Sequence, residues 1–391
     1  MKQEDIPVIQ LKPGKESSLR RSHPWVFSGA IASVNQMPQP GQWVKVVDAQ
    51  GRFLGAGHYH EGSIAVRILT FKDVEIDAHF WIDRLTRSWN SRKALHLNEE
   101  GKNTIFRWVH GEGDGLPGLI MDVYDQTVVI QPHTLGMYNE AAIIAEAIGK
   151  VAPQIQTIYL KPSEKQMEAQ AQYLKGSPSN AIAFEHGLKY NIDWERGQKT
   201  GFFIDQRENR RLLGELSKDK KVLNTFCYSG GFSLTALQGG AAHVDSLDSS
   251  QHALDLTLQN VTLNGFDESK HAVIKADAVE YIKTVGSDYD IIVLDPPAFA
   301  KHLSAKHKAV QGYRKINEAA IRKIKSGGLI FTFSCSQAVD KDTFKGAIVA
   351  AAIDAGRQVK IIHQLHQPAD HPISLFHPEG EYLKGLVLEV I

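Results

Sequence analysis

Five short apolar runs punctuate the second half of the 391-residue chain, each separated from the next by a helix-length stretch: Val222–Thr225, His243–Leu247, Ala272–Lys275, Asp290–Leu294 and Leu329–Ser334. Strands joined through helices lie parallel, with right-handed crossovers and both sheet faces covered. A sheet of that kind takes its ligands at the C-terminal ends of its strands. Two more runs, Val359–Leu365 and Gly385–Val390, are joined only by a loop rich in Pro and His, which predicts a closing antiparallel pair. Nicotinamide-binding domains usually lack that ending.

Upstream the rhythm differs. Residues 1–73 carry short strand patterns (Trp43–Val47, Phe53–Gly57, Ala65–Leu69) around the turn Asp48–Gly51, which predicts a small β-barrel or sandwich. Lys+Arg and Asp+Glu balance at 44 each over the whole chain, so nucleic-acid binding must come from a local patch. Residues 1–73 hold nine basic and six acidic side chains, a net +3, and Lys15, Arg20, Arg21 and His23 lie next to Trp25 and Phe27. Cations beside aromatics suit RNA backbone contact and base stacking, and a solvated edge over core aromatics explains them equally well. Asp77 reads as the N-cap of a helix with Trp81, Leu85 and Trp89 on its core face. Arg84, Arg87, Arg92 and Lys93 fall off that stripe and are expected in solvent. Strands at 106–110, 119–124, 128–131 and 157–161, a loop Gly111–Gly118 and a helix Tyr138–Val151 make residues 74–180 a small α+β domain, ending in the polar linker Lys175–Asn180. Residues 181–391 form the third domain.

The first parallel strand, which contains Asn224, runs into Phe226-Cys227-Tyr228-Ser229-Gly230-Gly231, where small residues let backbone approach a ligand as a helix begins. The spacing is not that of a dinucleotide fingerprint. Asp248, 18 residues after Gly230 and followed by Ser249, ends the second strand where a carboxylate can take both hydroxyls of a ribose. Asp277-Ala278 ends the third; the acid there suits an adenine amine or a helix cap. The fourth ends in Asp295-Pro296-Pro297-Ala298-Phe299. Two prolines cannot continue a ladder, so they fix a rigid elbow whose carbonyls lack chain partners and can receive the exocyclic amine of a base.

The loop set and the closing strands resemble class I S-adenosylmethionine-dependent methyltransferases. Lys199–Arg207, Ser334-Cys335-Ser336 and Glu379–Gly385 are similar, more narrowly, to the bacterial large-subunit rRNA cytosine-C5 methyltransferases, and the resemblance extends over essentially the whole chain. Arg21–Ala30 looks like part of that family's PUA RNA-binding domain, and Gly111–Leu119 like its central α+β domain. The resemblance implies an α/β protein: a Rossmann-like methyltransferase domain behind a PUA-like β-barrel and a central α+β domain. It implies S-adenosylmethionine as cofactor, held by Gln206, Arg207, Asn224, Phe226, Tyr228, Ser229, Gly230, Gly231, Asp248, Ser249, Asp277, Ala278 and Asp295. It implies large-subunit rRNA as partner, met by Pro296, Pro297, Phe299, Arg21 and Trp25.

Carbon 5 of cytosine is a poor nucleophile until a thiolate adds at carbon 6. Cys335, at the end of the fifth strand, is expected to supply it, with Asp295 on ring nitrogen 3 as general acid. Many RNA cytosine-C5 methyltransferases carry a second cysteine after the fourth-strand proline; Ala298 stands there in this chain. Cys335 is therefore read as the sole nucleophile, and the base for the carbon-5 proton is left to water or a backbone-held side chain. The rival readings are guanine or exocyclic-amine methylation, which needs no thiolate, and a catalytically silent RNA-binding assembly factor. Two cysteines build neither a disulfide framework nor a thiolate zinc site, and no metal is expected at the histidines of 363–377, with His371 expected to border the substrate pocket. No apolar run spans a bilayer and the N-terminus lacks a secretion pattern, so a cytoplasmic protein without membrane partners is expected. Pairing with a second copy of the chain is left open.

Overall fold

The computed structural model describes residues 6–163, 170–177, 181–300 and 302–391. Residues 1–5 of the first predicted domain and 178–180 of the predicted linker lie outside them. The chain forms two compact units. One takes Met1–Phe184, Ile192–Ile204 and Ala369–Gly380; the other takes Glu185–Asn191, Asp205–Pro368 and Glu381–Ile391. Among the described residues no helix is long and apolar enough to cross a membrane.

In the first unit, β1 (Val8–Leu11), the single-turn α1 (Ser17–Arg20), β2 (Trp25–Phe27), β3 (Ile31–Val34), β4 (Trp43–Val47), β5 (Phe53–Tyr59) and β6 (Ile64–Thr70) give a six-stranded sheet, ordered β2-β6-β5-β4-β1-β3. The two-residue strand period divides its side chains. Val44, Val46 and Ile68 pack with Ile9, Leu11 and Val26 in one core. Trp43, Ala56 and Leu69 join a second core with Trp81, Leu85 and Trp89 of α2 (Ala78–Ala94). Asp77 caps α2 as expected, accepting from Phe80 N at 3.0 Å. A five-stranded sheet, β11-β10-β9-β8-β7, follows, built from β7 (Ile105–His110), β8 (Leu119–Tyr124), β9 (Thr127–Pro132), β10 (Thr157–Leu160) and β11 (Gln172–Lys175). The single helix predicted over 138–151 is two, α3 (Leu135–Asn139) and α4 (Ala141–Val151); Glu140 at the junction accepts from the Trp43 indole at 2.7 Å.

One expectation fails in this unit. Arg92 is not in solvent but 2% exposed: its guanidinium grips both Asp114 oxygens at 3.0 and 2.6 Å and donates to Arg107 O and Asp370 O at 2.8 and 3.0 Å. A buried guanidinium is tolerable only when so satisfied. His371, expected to border the substrate pocket, is packed inside this unit. It is 1% exposed, beside Asp370 and with its ring 4.9 Å from that of His110, because the segment 369–380 is built into this unit.

The strands β12 (Ala181–Glu185) and β13 (Leu188–Ile192) form a two-stranded sheet. In the second unit α5 (Arg207–Leu216) precedes β14 (Lys221–Thr225), α6 (Gly231–Gln238), β15 (His243–Asp248), α7 (Gln251–Leu263), β16 (His271–Lys275), α8 (Ala278–Thr284), β17 (Ile291–Leu294), α9 (Lys306–Lys323), β18 (Gly328–Ser334), α10 (Lys341–Ala355), β19 (Val359–His366) and β20 (Lys384–Val390). The sheet order is β16-β15-β14-β17-β18-β20-β19, parallel through β18 and antiparallel where β20 enters. All seven expected strands are present. The order reverses at β14, so ligand-binding loops converge beyond the C-terminal ends of β14 and β17.

Candidate active site

Beyond Thr225 the chain enters a turn that ordinary residues resist: Phe226, Tyr228 and Gly230 take φ of 56°, 47° and 80°. Left-handed backbone costs a non-glycine residue about 1–2 kcal/mol, so other groups must hold the turn. Thr257 Oγ1 donates to Tyr228 O at 2.9 Å, and Asn260 Nδ2 donates to Ser229 O at 3.0 Å. A Cβ on Gly230 would come within 2.7 Å of Thr257. Sequence reasoning missed Thr257 and Asn260. Their signal was two polar residues at i, i+3 on a face of α7 that must be buried.

Asp248 meets this turn. Its Oδ2 accepts from Tyr228 N at 3.1 Å and its Oδ1 from Ser250 N at 2.9 Å, so each oxygen keeps acceptor capacity for a hydroxyl. Ser249 is exposed beside it. Asp277 caps α8, accepting from Glu280 N at 3.0 Å through one oxygen, ahead of buried Ala278. Gln206 and Arg207 are both 2% exposed at the start of α5; Gln206 Oε1 accepts from Asn209 at 2.6 Å, and Arg207 Nε donates to Glu208 at 3.2 Å. Asn224 donates to Ser233 at 2.8 Å, and its buried Oδ1 has no partner among the described residues. Gly231 opens α6.

Strands β17 and β18 run side by side with Leu294 opposite Thr332, so Asp295 and Cys335 leave the sheet at the same edge. Ser336 Oγ donates to Ala300 O at 2.7 Å and ties the Cys335 turn to the Asp295–Ala300 loop. Pro296 is buried and Pro297 exposed. Phe299 packs on α9, its ring 4.8 Å from Tyr313. Burial, with the charges of Cys335 and Asp295 adding, pushes the Tyr313 phenol up to about 12.

The two cysteines differ in kind. Neither is in a disulfide, and Cys335 is half-exposed. Cys227 is 5% exposed, and burial, then the charge of Asp248, pushes its thiol up to about 12. It stays protonated at neutral pH and is a poor nucleophile.

In the first unit Arg21 and Lys15 are exposed, and Arg20 pairs with Asp48 at 3.1 Å. Trp25 is half-buried: its indole donates to Glu112 at 2.9 Å, and its ring lies 4.3 Å from that of His377.

A family model of S-adenosylmethionine-dependent methyltransferases matches residues 134–375, and one of PUA-like domains matches residues 9–71. The ribosomal RNA large subunit methyltransferase I of Alteromonas mediterranea is 40% identical over 393 residues, covering 98% of each chain. That of Shewanella denitrificans is 40% identical over 395 residues, covering 98% of this chain and 99% of its own. The chain belongs to the ribosomal RNA large subunit methyltransferase I family. The family's fold is matched by a Streptococcus mutans structure described as a SAM-dependent methyltransferase, with a TM-score of 0.83 at 23% identity over 98% of this chain and 99% of that one. It is matched too by SMU.776 complexed with SAH, with a TM-score of 0.85 at 23% identity over the same shares. The family's cofactor is S-adenosylmethionine, and the donor set fits it. A half-satisfied carboxylate ends β15, an orphaned buried amide oxygen lies in β14, and a strained turn leaves no room for a side chain at Gly230.

Proposed function

We propose that the chain methylates carbon 5 of a cytosine in large-subunit ribosomal RNA through a covalent adduct at Cys335. The observation that carries this reading is the contrast between the thiols. Cys335 is half-exposed beside the Asp295 loop, and Cys227 is sealed behind the cofactor turn. Bound S-adenosylmethionine supplies a methyl group on a sulfonium, an electrophile that unactivated carbon 5 does not attack. The Cys335 thiolate forms the bond to carbon 6, and the displaced ring electrons make carbon 5 enamine-like. Asp295 hydrogen-bonds or protonates nitrogen 3, where the negative charge collects. With the methyl group on carbon 5, Asp295 takes back the nitrogen-3 proton, and loss of the carbon-5 proton to water re-forms the 5,6 double bond and expels the thiolate. Pro296, Pro297 and the carbonyls of their elbow present the site to the exocyclic amine. Large-subunit rRNA incubated with the protein and S-adenosylmethionine, then digested to nucleosides, is expected to yield 5-methylcytidine by mass spectrometry; a methylated guanosine or N4-methylcytidine instead would favour the thiolate-free alternative.

Asp248 holds the cofactor ribose, aided by Ser249, and Gln206, Arg207 and Asn224 serve its methionine end, with Asp277 and Ala278 at the adenine. Asp248→Ala is expected to weaken S-adenosylhomocysteine binding by about 1.5–3 kcal/mol, the scale of a hydrogen bond to a charged group. Titration calorimetry checks this, and an unchanged affinity removes Asp248 from the site.

Residues 1–73 contribute RNA affinity through the exposed Lys15 and Arg21, with Trp25 bracing the surface that carries them. A cation that neutralises a phosphate releases counterions, so removing it lowers the salt dependence of binding. Lys15→Glu with Arg21→Glu is therefore expected to weaken rRNA binding at least about tenfold at physiological salt, to flatten the salt slope by roughly two, and to leave S-adenosylhomocysteine affinity unchanged. Unaltered rRNA binding would move the RNA surface elsewhere. A homodimer is tested by sedimentation: twice the monomer mass at micromolar concentration supports it, and the monomer mass rejects it.

A further inference from the structure

Strand β20 enters the sheet beside β18 with Lys384 directly opposite Ser334, the residue before Cys335. Cross-strand partners share a sheet face, so the Lys384 side chain runs along the same face toward the turn that follows Ser334. It is 6% exposed, and its amine donates to Ser336 O at 2.6 Å. Among the described residues that is the amine's one hydrogen bond, although an ammonium carries three donors. A lysine buried this deeply is costly unless an opposite charge offsets the loss of water.

The carboxylates around it are already engaged. Glu381 pairs with Lys341. Asp340 pairs with Lys306 at 2.8 Å and caps α10 through Thr343 N at 2.8 Å. On the α9 side of Cys335 stands Tyr313, whose phenol stays protonated. A negative charge on the Cys335 sulfur, on Glu381 or on Asp340 favours the Lys384 ammonium, while Lys341 opposes it.

We propose that Lys384 is the positioning residue that keeps the Cys335 sulfur in its thiolate form, by taking the thiol proton and remaining beside the sulfur as its ammonium counter-ion. This rests on Cys335 being the nucleophile. The proton balance is simple: thiol and neutral amine become thiolate and ammonium, and the ammonium returns the proton when the thiolate leaves carbon 6. Burial brings the Lys384 ammonium down to about 8, close to the ordinary thiol value of about 8.5, so amine and thiol compete for one proton on nearly equal terms. The bond to Ser336 O fixes the amine on the turn that carries the sulfur.

The test reads the sulfur without RNA. Full-length protein is alkylated with iodoacetamide from pH 6 to 10, and modification of Cys335 is followed by peptide mass spectrometry. The wild-type midpoint is expected below the ordinary thiol value of about 8.5. Lys384→Gln keeps a donor for Ser336 O but carries no charge, and is expected to alkylate at least about tenfold more slowly at pH 7, a midpoint raised by about one unit. Lys384→Arg, which keeps the charge, is expected to stay close to wild type. A Gln variant with the wild-type profile would overturn the proposal and leave Lys384 as a clamp on the turn. A wild-type midpoint at or above 8.5 would overturn it without any variant. Either failure is distinct from failure of the cytosine reading, which is judged by adduct formation on RNA.

Discussion

Cys335→Ala is expected to slow methyl transfer to rRNA by at least about a thousandfold, roughly 4 kcal/mol of barrier at 1.36 kcal/mol per tenfold, while S-adenosylhomocysteine still binds with unchanged affinity. Without a nucleophile at carbon 6, carbon 5 never acquires enamine character, and no other thiol can substitute. Cys227 is sealed 5% exposed beneath the cofactor turn, with Thr257 Oγ1 3.7 Å from its sulfur, and its proton is held to about pH 12. Cys227→Ser is accordingly expected to keep most of the rate. The measurement is single-turnover methylation with labelled S-adenosylmethionine. A Cys335→Ala protein with near-normal turnover would remove the thiolate from the mechanism.

The largest expected effect on stability lies in the first unit, at Arg92. Arg92→Met is expected to lower the stability of that unit by about 3–5 kcal/mol, because it strands the Asp114 carboxylate, 8% exposed, with His110 N at 2.7 Å as its one remaining donor among the described residues. Replacing both partners, Arg92→Met with Asp114→Leu, is expected to recover a large part of the loss, since the unpaired charge goes with its partner. Urea unfolding followed by tryptophan fluorescence checks both, as Trp81 and Trp89 of α2 and Trp108 of β7 are buried in one core. A single variant within about 1 kcal/mol of wild type, the scale of a surface pair, would mean that the pair is screened by solvent.

Arg92 also marks where the sequence stops being readable. The seven strands of the second unit were legible because buried strands leave continuous apolar runs, and the loops at their C-terminal ends followed from that order. The Asp77 cap and the Trp81, Leu85, Trp89 stripe were legible because their partners lie within a few residues. Arg92 was not. Its position on the helix pattern is polar, and its partners stand 22 and 278 residues away in Asp114 and Asp370. The placement of 369–380 in the first unit was hidden for the same reason: a Pro- and His-rich loop carries no periodicity to say what it packs on. At the site, Asp248, Asp295 and Cys335 could be named because each ends a recognisable strand. Thr257, Asn260 and Lys384 act on backbone carbonyls 29, 31 and 48 residues earlier, and only the sheet register and the buried face of α7 bring them there.

The adduct itself tests the account most directly. Large-subunit rRNA transcribed with 5-fluorocytidine and incubated with the protein and S-adenosylmethionine is expected to become covalently attached after methyl transfer, because fluorine at carbon 5 cannot leave as a proton does. Nuclease digestion and peptide mass spectrometry should then place the nucleotide on Cys335, with no attachment in Cys335→Ala and full attachment in Cys227→Ser. Methylation of unmodified rRNA without any trapped complex on the fluorinated RNA would contradict the covalent mechanism, and attachment at Cys227 would contradict the assignment of the nucleophile.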